Sequence, residues 1–216
     1  MIREFGWPEA WTIVLGIQAT LLLSIVAFSG GGIGGLLVAL ARTSPYRAMR
    51  AAAGAFIDFF QGTPMLLQLF LVFYGLPVLG IRVNVWVAAA VGLTLHAGAF
   101  LGEIWRGGIQ AVPKGQSEAA HALGLKYFAR LRYVVLPQAL RISFAPTIGF
   151  LVQLIKGTSL AAIIGFVELS RSAQLVSSIT YKPLLAFGLA GACYFAICFP
   201  LSRLGARFEK RYAVRT

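Results

Sequence analysis

Apolar residues fill long runs of this chain, and polar segments rich in arginine and lysine interrupt them. An α-helix rises about 1.5 Å per residue and needs about 20 mostly apolar residues to cross the hydrocarbon core of a bilayer. Five segments meet that requirement, at 11–40, 51–79, 85–104, 142–166 and 183–201. The first two are longer than the minimum, which predicts a tilted crossing or a turn outside the core. The fold class expected is therefore an all-α membrane protein with five transmembrane helices in one domain over 1–216. A polar loop at 106–141 separates the third span from the fourth.

Charge sets the expected direction of the spans, because lysine and arginine favour the cytoplasmic side. Arg42, Arg47 and Arg50 follow the first span. Arg106, Lys114, Lys126, Arg130, Arg132 and Arg141 lie between the third and fourth, and Arg203, Arg207, Lys210, Arg211 and Arg215 form the tail. Only Arg3, Arg82, Arg171 and Lys182 fall on the other side, with Lys156 inside a span. The N-terminus is expected outside and the C-terminus in the cytoplasm.

Composition agrees. The chain is 58% hydrophobic and 12% charged, about half the charged share of soluble domains. Its formal net charge of +12 does not point to nucleic acid, because the basic residues cluster between apolar spans, where positive-inside bias and anionic lipid account for them. The opening MIREFGWPEAWTIV lacks the short apolar core and small-residue cleavage site of a secretory signal, so the first span is expected to be retained. Cys193 and Cys198, five apart in an apolar run, have neither disulfide geometry nor metal-type spacing and read as packing residues. In SGGGIGG at 29–35, Gly30 with Gly34 and Gly31 with Gly35 have the spacing that lets membrane helices approach closely. That spacing fits a contact inside one subunit or between two.

The loop has helical character of its own. Ser117 precedes EAAHALG, whose alanines and leucine are strong helix formers, and Gly124 permits a left-handed turn before KYFARLRYVVLPQ. A helix, a turn and a second helix are expected, with Pro137 ending or bending the second. A short exposed helix of small residues fits a groove on a soluble partner, since alanine lets backbones come close and Glu118 offers a charge. The same pattern also describes an amphipathic helix lying on lipid. His121 in that helix is placed to touch a partner or solvent.

Over 102–141, GEIWRGGIQAVPKGQSEAAHALGLKYFARLRYVVLPQALR resembles the membrane subunits of ABC importers, of the polar amino acid subfamily typified by the histidine and glutamine importers. FFQGTPMLLQLFLVFYGLP at 59–77, LIKGTSLAAIIGFVELSRSAQ at 154–174 and the FEKRY tail agree with it. The resemblance implies a type I importer permease in the bacterial cytoplasmic (inner) membrane, moving an amino acid by alternating access. It implies that the EAA loop, through Glu118, Ala119, Ala120, Gly124, Leu136 and Pro137, couples the chain to its ATPase. It further implies a second permease copy or a homologue, two ATPase subunits and an extracytoplasmic substrate-binding protein. The chain carries no G-x-x-x-x-G-K-[ST] phosphate loop. The expected role is thus a transport subunit with no cofactor of its own, ATP and Mg being bound by the partner ATPase.

Polar residues recur inside two spans: Asp58, Gln61, Thr63 and Gln68 in the second, and Gln153, Lys156, Thr158 and Ser159 in the fourth. Both spans run from inside to outside, so Thr63 and Thr158 lie about 18 and 24 Å along their axes and can meet. Polar groups at that depth are costly and usually face a cavity or a partner. A solute path through Gln61, Thr63, Gln68, Gln153, Lys156, Thr158 and Ser159 is one explanation. Helix-to-helix hydrogen bonding, with Lys156 paired to Asp58 or snorkelling, is the other. Gly62, Pro64 and Gly157 could open the helices locally and free backbone groups for a zwitterionic ligand.

Two positions depart from the family pattern, Gln61 where relatives commonly carry Arg, and Gly157 where many carry Asp. Their loss favours a heterodimer whose other permease completes the site, or a substrate that is not strongly cationic. Glu103 and Arg106, one turn apart at the inner end of the third span, are expected to form an ion pair or to contact lipid headgroups. His96 reads as a hydrogen-bonded packing residue, with no carboxylate cluster nearby for a metal or proton relay. Glu168 falls beyond the fourth span, where it meets the binding protein or caps a short helix. A channel or ion-driven secondary carrier would use the same intramembrane residues without an ATPase.

Overall fold

The computed structural model describes residues 3–212, so Arg215, counted above with the basic tail, lies outside the described residues. The described residues form helices joined by short turns: α1 (Trp7–Thr43), α2 (Arg47–Gly62), α3 (Met65–Val78), α4 (Val85–Gln110), α5 (Lys114–Ala122), α6 (Tyr127–Ile164), α7 (Leu169–Thr180) and α8 (Pro183–Tyr212). Four of them, α1, α4, α6 and α8, are each long and apolar enough to cross a membrane. The bent pair α2 and α3 makes a fifth span if counted as one.

Small residues explain the tightest packing. Along α1, Gly31 and Gly35 face Ala97, Gly98, Leu101 and Gly102 of α4, and a Cβ built on Gly35 would lie 2.9 Å from the Leu101 Cβ. Gly34 has open space around it. The Gly31/Gly35 half of the glycine pattern is thus a contact inside one chain, which lets two backbones approach as membrane helices need in the absence of a hydrophobic drive between them. Leu23, Leu69, Leu93, Leu101 and Leu154 fill the main core between α1, α3, α4 and α6, all essentially without exposure. A second cluster around Ile13, Leu169 and Ala190 fastens α7 to α1 and α8, and Cys198 packs beside Val152 and Ile155 in a third. Both cysteines are free.

One expectation needs correction, and another loses one of its two alternatives. The segment 51–79 is not a single straight crossing, because α2 and α3 meet at 107°. Thr63 has the extended conformation (φ −115°, ψ 142°) that a following proline imposes, and Pro64 continues it. The helix cannot pass through that step, and an axial depth counted along one rod does not apply to Thr63. Conversely, Pro137 does not end its helix. α6 continues through it after a π-helical stretch at Leu131–Val135. Proline lacks an amide hydrogen and its ring crowds the carbonyl one turn back, and a wider turn relieves both problems. The same arrangement recurs in α3, where π-helical Leu71–Gly75 precedes Leu76 and Pro77.

Candidate functional site

The break between α2 and α3 is held by one side chain. Gln68, only 3% exposed, donates from Nε2 to the Phe60 carbonyl at 2.7 Å and to the Thr63 carbonyl and Oγ1 at 2.9 Å each. Its Oε1 faces His96 Nδ1 of α4 at 2.9 Å, and the His96 ring stacks on Phe100, with centroids 4.4 Å apart. Thr63 Oγ1 donates to the Phe59 carbonyl at 2.7 Å. The carbonyls released by the missing turn are therefore satisfied by protein side chains, as a membrane interior requires. His96 is the hydrogen-bonded packing residue that its isolation predicts.

The opposite wall is the end of α6, where the α-helix tightens to 3₁₀ geometry over Thr158–Ile164. Thr158 Oγ1 donates to the Ile155 carbonyl and Ser159 Oγ to that of Lys156, both at 2.7 Å. Thr158 is fully buried. The two breaks meet: a Cβ on Gly157 would lie 3.0 Å from the Met65 Cε. The structure thus brings together the QGTPM and KGTSL segments through Met65 and Gly157. Gln68 and Thr158 spend their polar atoms on the chain itself. Gln153 and Lys156 are exposed on one face of α6, and Asp58 and Gln61 are exposed on α2. No ion pair joins Asp58 to Lys156 among the described residues; Glu103 and Arg106 form one, reinforced by an Arg106 Nε to Glu103 Oε2 bond of 2.7 Å.

The loop forms a second site. α5 carries Glu118 and Ala119 exposed and turns Ala120 inward, 5% exposed. Its end is a Schellman turn: the Leu125 amide bonds to the Ala120 carbonyl at 3.1 Å and the Gly124 amide to that of His121 at 2.9 Å. Gly124 supplies the left-handed residue, φ +80°. The turn projects Leu123 and Phe128, 82% and 81% exposed. Leu136 is half-buried and Pro137 exposed at the start of the long α-helical run of α6. Glu118, Ala119 and Gly124 are thus exposed, Ala120 is turned inward, and Leu136 faces α1 instead of α5.

A family model for the inner membrane component of binding-protein-dependent transport systems matches residues 31–214, a stretch that includes both sites. The chain belongs to this family. The probable amino-acid ABC transporter permease YckA of Bacillus subtilis is 37% identical over 93% of this chain and 89% of its own. The putative glutamine transport system permease GlnP of Rickettsia conorii is 35% identical over 96% of both. The L-cystine transport system permease TcyB of Bacillus subtilis is 36% identical over 98% of this chain and 89% of its own. Among solved structures, that of an amino acid ABC transporter with histidines superimposes with a TM-score of 0.87 at 32% identity, over 93% of this chain and 94% of that one. An inward-facing MetNI methionine ABC transporter gives 0.81 at 21% identity over 96% and 99%, which concerns the fold alone.

One residue of this permease has a different setting from the exposed one its position beyond the fourth span suggests. Glu168 is fully buried. It caps α7 by accepting from the Arg171 amide at 2.8 Å, and it accepts from Tyr194 Oη of α8 at 2.7 Å and Thr20 Oγ1 of α1 at 3.4 Å. The capping alternative is the one the structure contains, and a contact with a binding protein is not available to this side chain here. Neither Thr20 nor Tyr194 stood out in the sequence, since each is an isolated polar residue in an apolar run more than twenty positions from its partner.

Proposed function

We propose that this permease is the membrane-spanning subunit of an ATP-driven importer that carries an amino acid across the bacterial cytoplasmic membrane by alternating access. The N-terminus lies outside, and the arginine-rich loop and tail face the cytoplasm. A partner ATPase binds ATP and magnesium, and α5 docks into it. An extracytoplasmic binding protein delivers the solute, and a second permease, favoured as a homologue, completes the path.

The observation that carries this reading is the surface of α5. A short helix presenting Glu118 and Ala119 outward, closed by the Gly124 turn and flanked by exposed Leu123 and Phe128, is a docking element. Relatives over nearly the whole chain include permeases named for amino acids, glutamine and L-cystine, which supports the substrate class. The solute path follows Gln61, Thr63, Gln153, Lys156 and Ser159, with Gln68 and Thr158 shaping the breaks.

The test is uptake in proteoliposomes holding the permease, its ATPase and the binding protein. Glu118→Lys reverses the charge at the docking surface and is expected to lower ATP-dependent uptake at least about tenfold, a loss of about 1.4 kcal/mol of coupling, while the chain remains inserted. Unchanged uptake in Glu118→Lys would remove α5 from the mechanism. Flux that persists without ATP would replace the importer by a channel or carrier.

A further inference from the structure

We propose that the permease holds one anionic phospholipid in a groove between α1, α4 and the first half of α6. The proposal takes from the transport reading only that the arginine-rich ends face the cytoplasm, which fixes the leaflet.

The groove has two adjoining parts. The deeper is a cavity of about 450 Å³ whose walls come from α1 at Gly32 and Leu36, α4 at Trp105 and α6 at Leu140 and Ser143. The outer, about 740 Å³, lies between the turn after α1 and the start of α6, with Tyr46, Tyr127 and Arg132 on its rim. Leu136 lines both, so the two adjoin at that residue, one on the flank of the helix bundle and the other at the loop surface. Hydrocarbon suits the deep part, where the walls are leucine, phenylalanine, isoleucine, alanine and glycine. The polar exceptions are Ser29 and Ser143, the latter 4% exposed and without a hydrogen-bond partner at its Oγ.

The rim has the opposite chemistry. Arg132 is exposed and, among the described residues, has no carboxylate within ion-pair distance; its guanidinium lies 5.9 Å from the centre of the Tyr133 ring. Arg50, by contrast, spends its guanidinium on the Ser44 and Pro45 carbonyls. A guanidinium without an acid, set over an apolar track and beside two tyrosines, matches a phosphate above acyl chains. Basic pockets between membrane helices on the cytoplasmic side recognise anionic headgroups by this combination. The outer part is walled by Leu131 and Leu136, which bracket the π-helical stretch of α6 that follows the docking helix. A lipid lodged there braces the segment that connects α5 to the membrane.

The experiment uses the permease purified in complex with its ATPase in mild detergent and exchanged into nanodiscs of phosphatidylcholine containing a minor fraction of phosphatidylglycerol carrying a diazirine on its acyl chain. Photolysis followed by peptide mapping is expected to label 29–36 and 136–143. Native mass spectrometry is expected to retain one phosphatidylglycerol per permease in preference to phosphatidylcholine. Arg132→Gln is expected to lower that retention about fivefold, and Leu140→Trp, a substitution at an exposed wall position, to abolish labelling of the deep groove. Equal retention of the two lipids, labelling spread evenly over α8 and α3, or unchanged labelling in Leu140→Trp would overturn the proposal. So would cross-linking of a cysteine at position 140 to a second permease, which would assign the groove to a protein partner. None of these readouts depends on transport.

Discussion

Gly31 and Gly34 stand three residues apart on α1, yet their surroundings predict opposite responses to substitution. A side chain on Gly31 would run into Ala97 and come within 3.0 Å of the Gly98 amide, whereas nothing lies within 4 Å of a Cβ on Gly34. Gly31→Leu must push α1 off α4, at a cost of about 1–3 kcal/mol or more for overpacking, and Gly34→Ala is expected to be neutral or slightly stabilising. Thermal unfolding in detergent separates them: a clear drop for Gly31→Leu and no drop for Gly34→Ala. Gln68 makes the second prediction at this scale. Gln68→Leu keeps the volume but strands the Phe60 and Thr63 carbonyls in an apolar setting, costing about 1–3 kcal/mol for each group left unpaired. Faster proteolysis at 60–66 with the ATPase still bound is the expected sign. Gln68 was legible in the sequence as a costly polar group inside an apolar span, but its partners were not. They lie 8 and 28 positions away and meet only because the chain folds back at Pro64. Glu168 shows the same limit, since its burial depends on Thr20 and Tyr194 from two other helices.

Elements were more legible than contacts, for a physical reason. A run of twenty apolar residues has few alternatives to a membrane helix, so helical content and membrane class follow from hydropathy. A break inside such a run leaves hydropathy unchanged. Hydropathy therefore cannot separate 51–79 as one rod from α2 and α3 at 107°, although Gly62 and Pro64 mark where the weakness lies. Pro77 of α3 and Pro137 of α6 show the converse. Each follows a leucine that comes directly after a five-residue π-helical stretch, so the chain widens a turn before the proline and the helix runs on. The turn after α5 is the element best anticipated, because a glycine after an alanine-rich helix is the common way to end one. Gly124→Val tests it. Nothing crowds the position, but its φ of +80° penalises a β-branched residue by about 1–2 kcal/mol. The expected outcome is a permease that inserts and folds normally, with ATPase activity no longer stimulated by substrate. Full stimulation in Gly124→Val would mean that the turn merely closes the helix.

At the scale of the whole molecule, one chain leaves a polar face that lipid cannot cover. Gly149, Gln153 and Lys156 fall on the same side of α6, all exposed, while Asp58, Gln61 and Gly62 are exposed on α2. A charge facing hydrocarbon costs about 2.5–3.5 kcal/mol even on insertion scales, so a stable assembly must set water or another polypeptide against Lys156. The break between α2 and α3 lies close by, since Met65 rests against Gly157. No carboxylate among the described residues pairs with Lys156. Lys156→Met distinguishes a functional cation from a tolerated one. If the side chain merely snorkels to the surface, methionine relieves a burden: the complex should melt higher and uptake should be unchanged. If the cation faces the path, the complex should melt at the same temperature or lower and uptake should fall by at least about tenfold, with Lys156→Arg restoring part of it. We expect the second result, because the exposed face groups Lys156 with Gln153 beside the two helix breaks and away from the arginine-rich ends where a snorkelling lysine would reach.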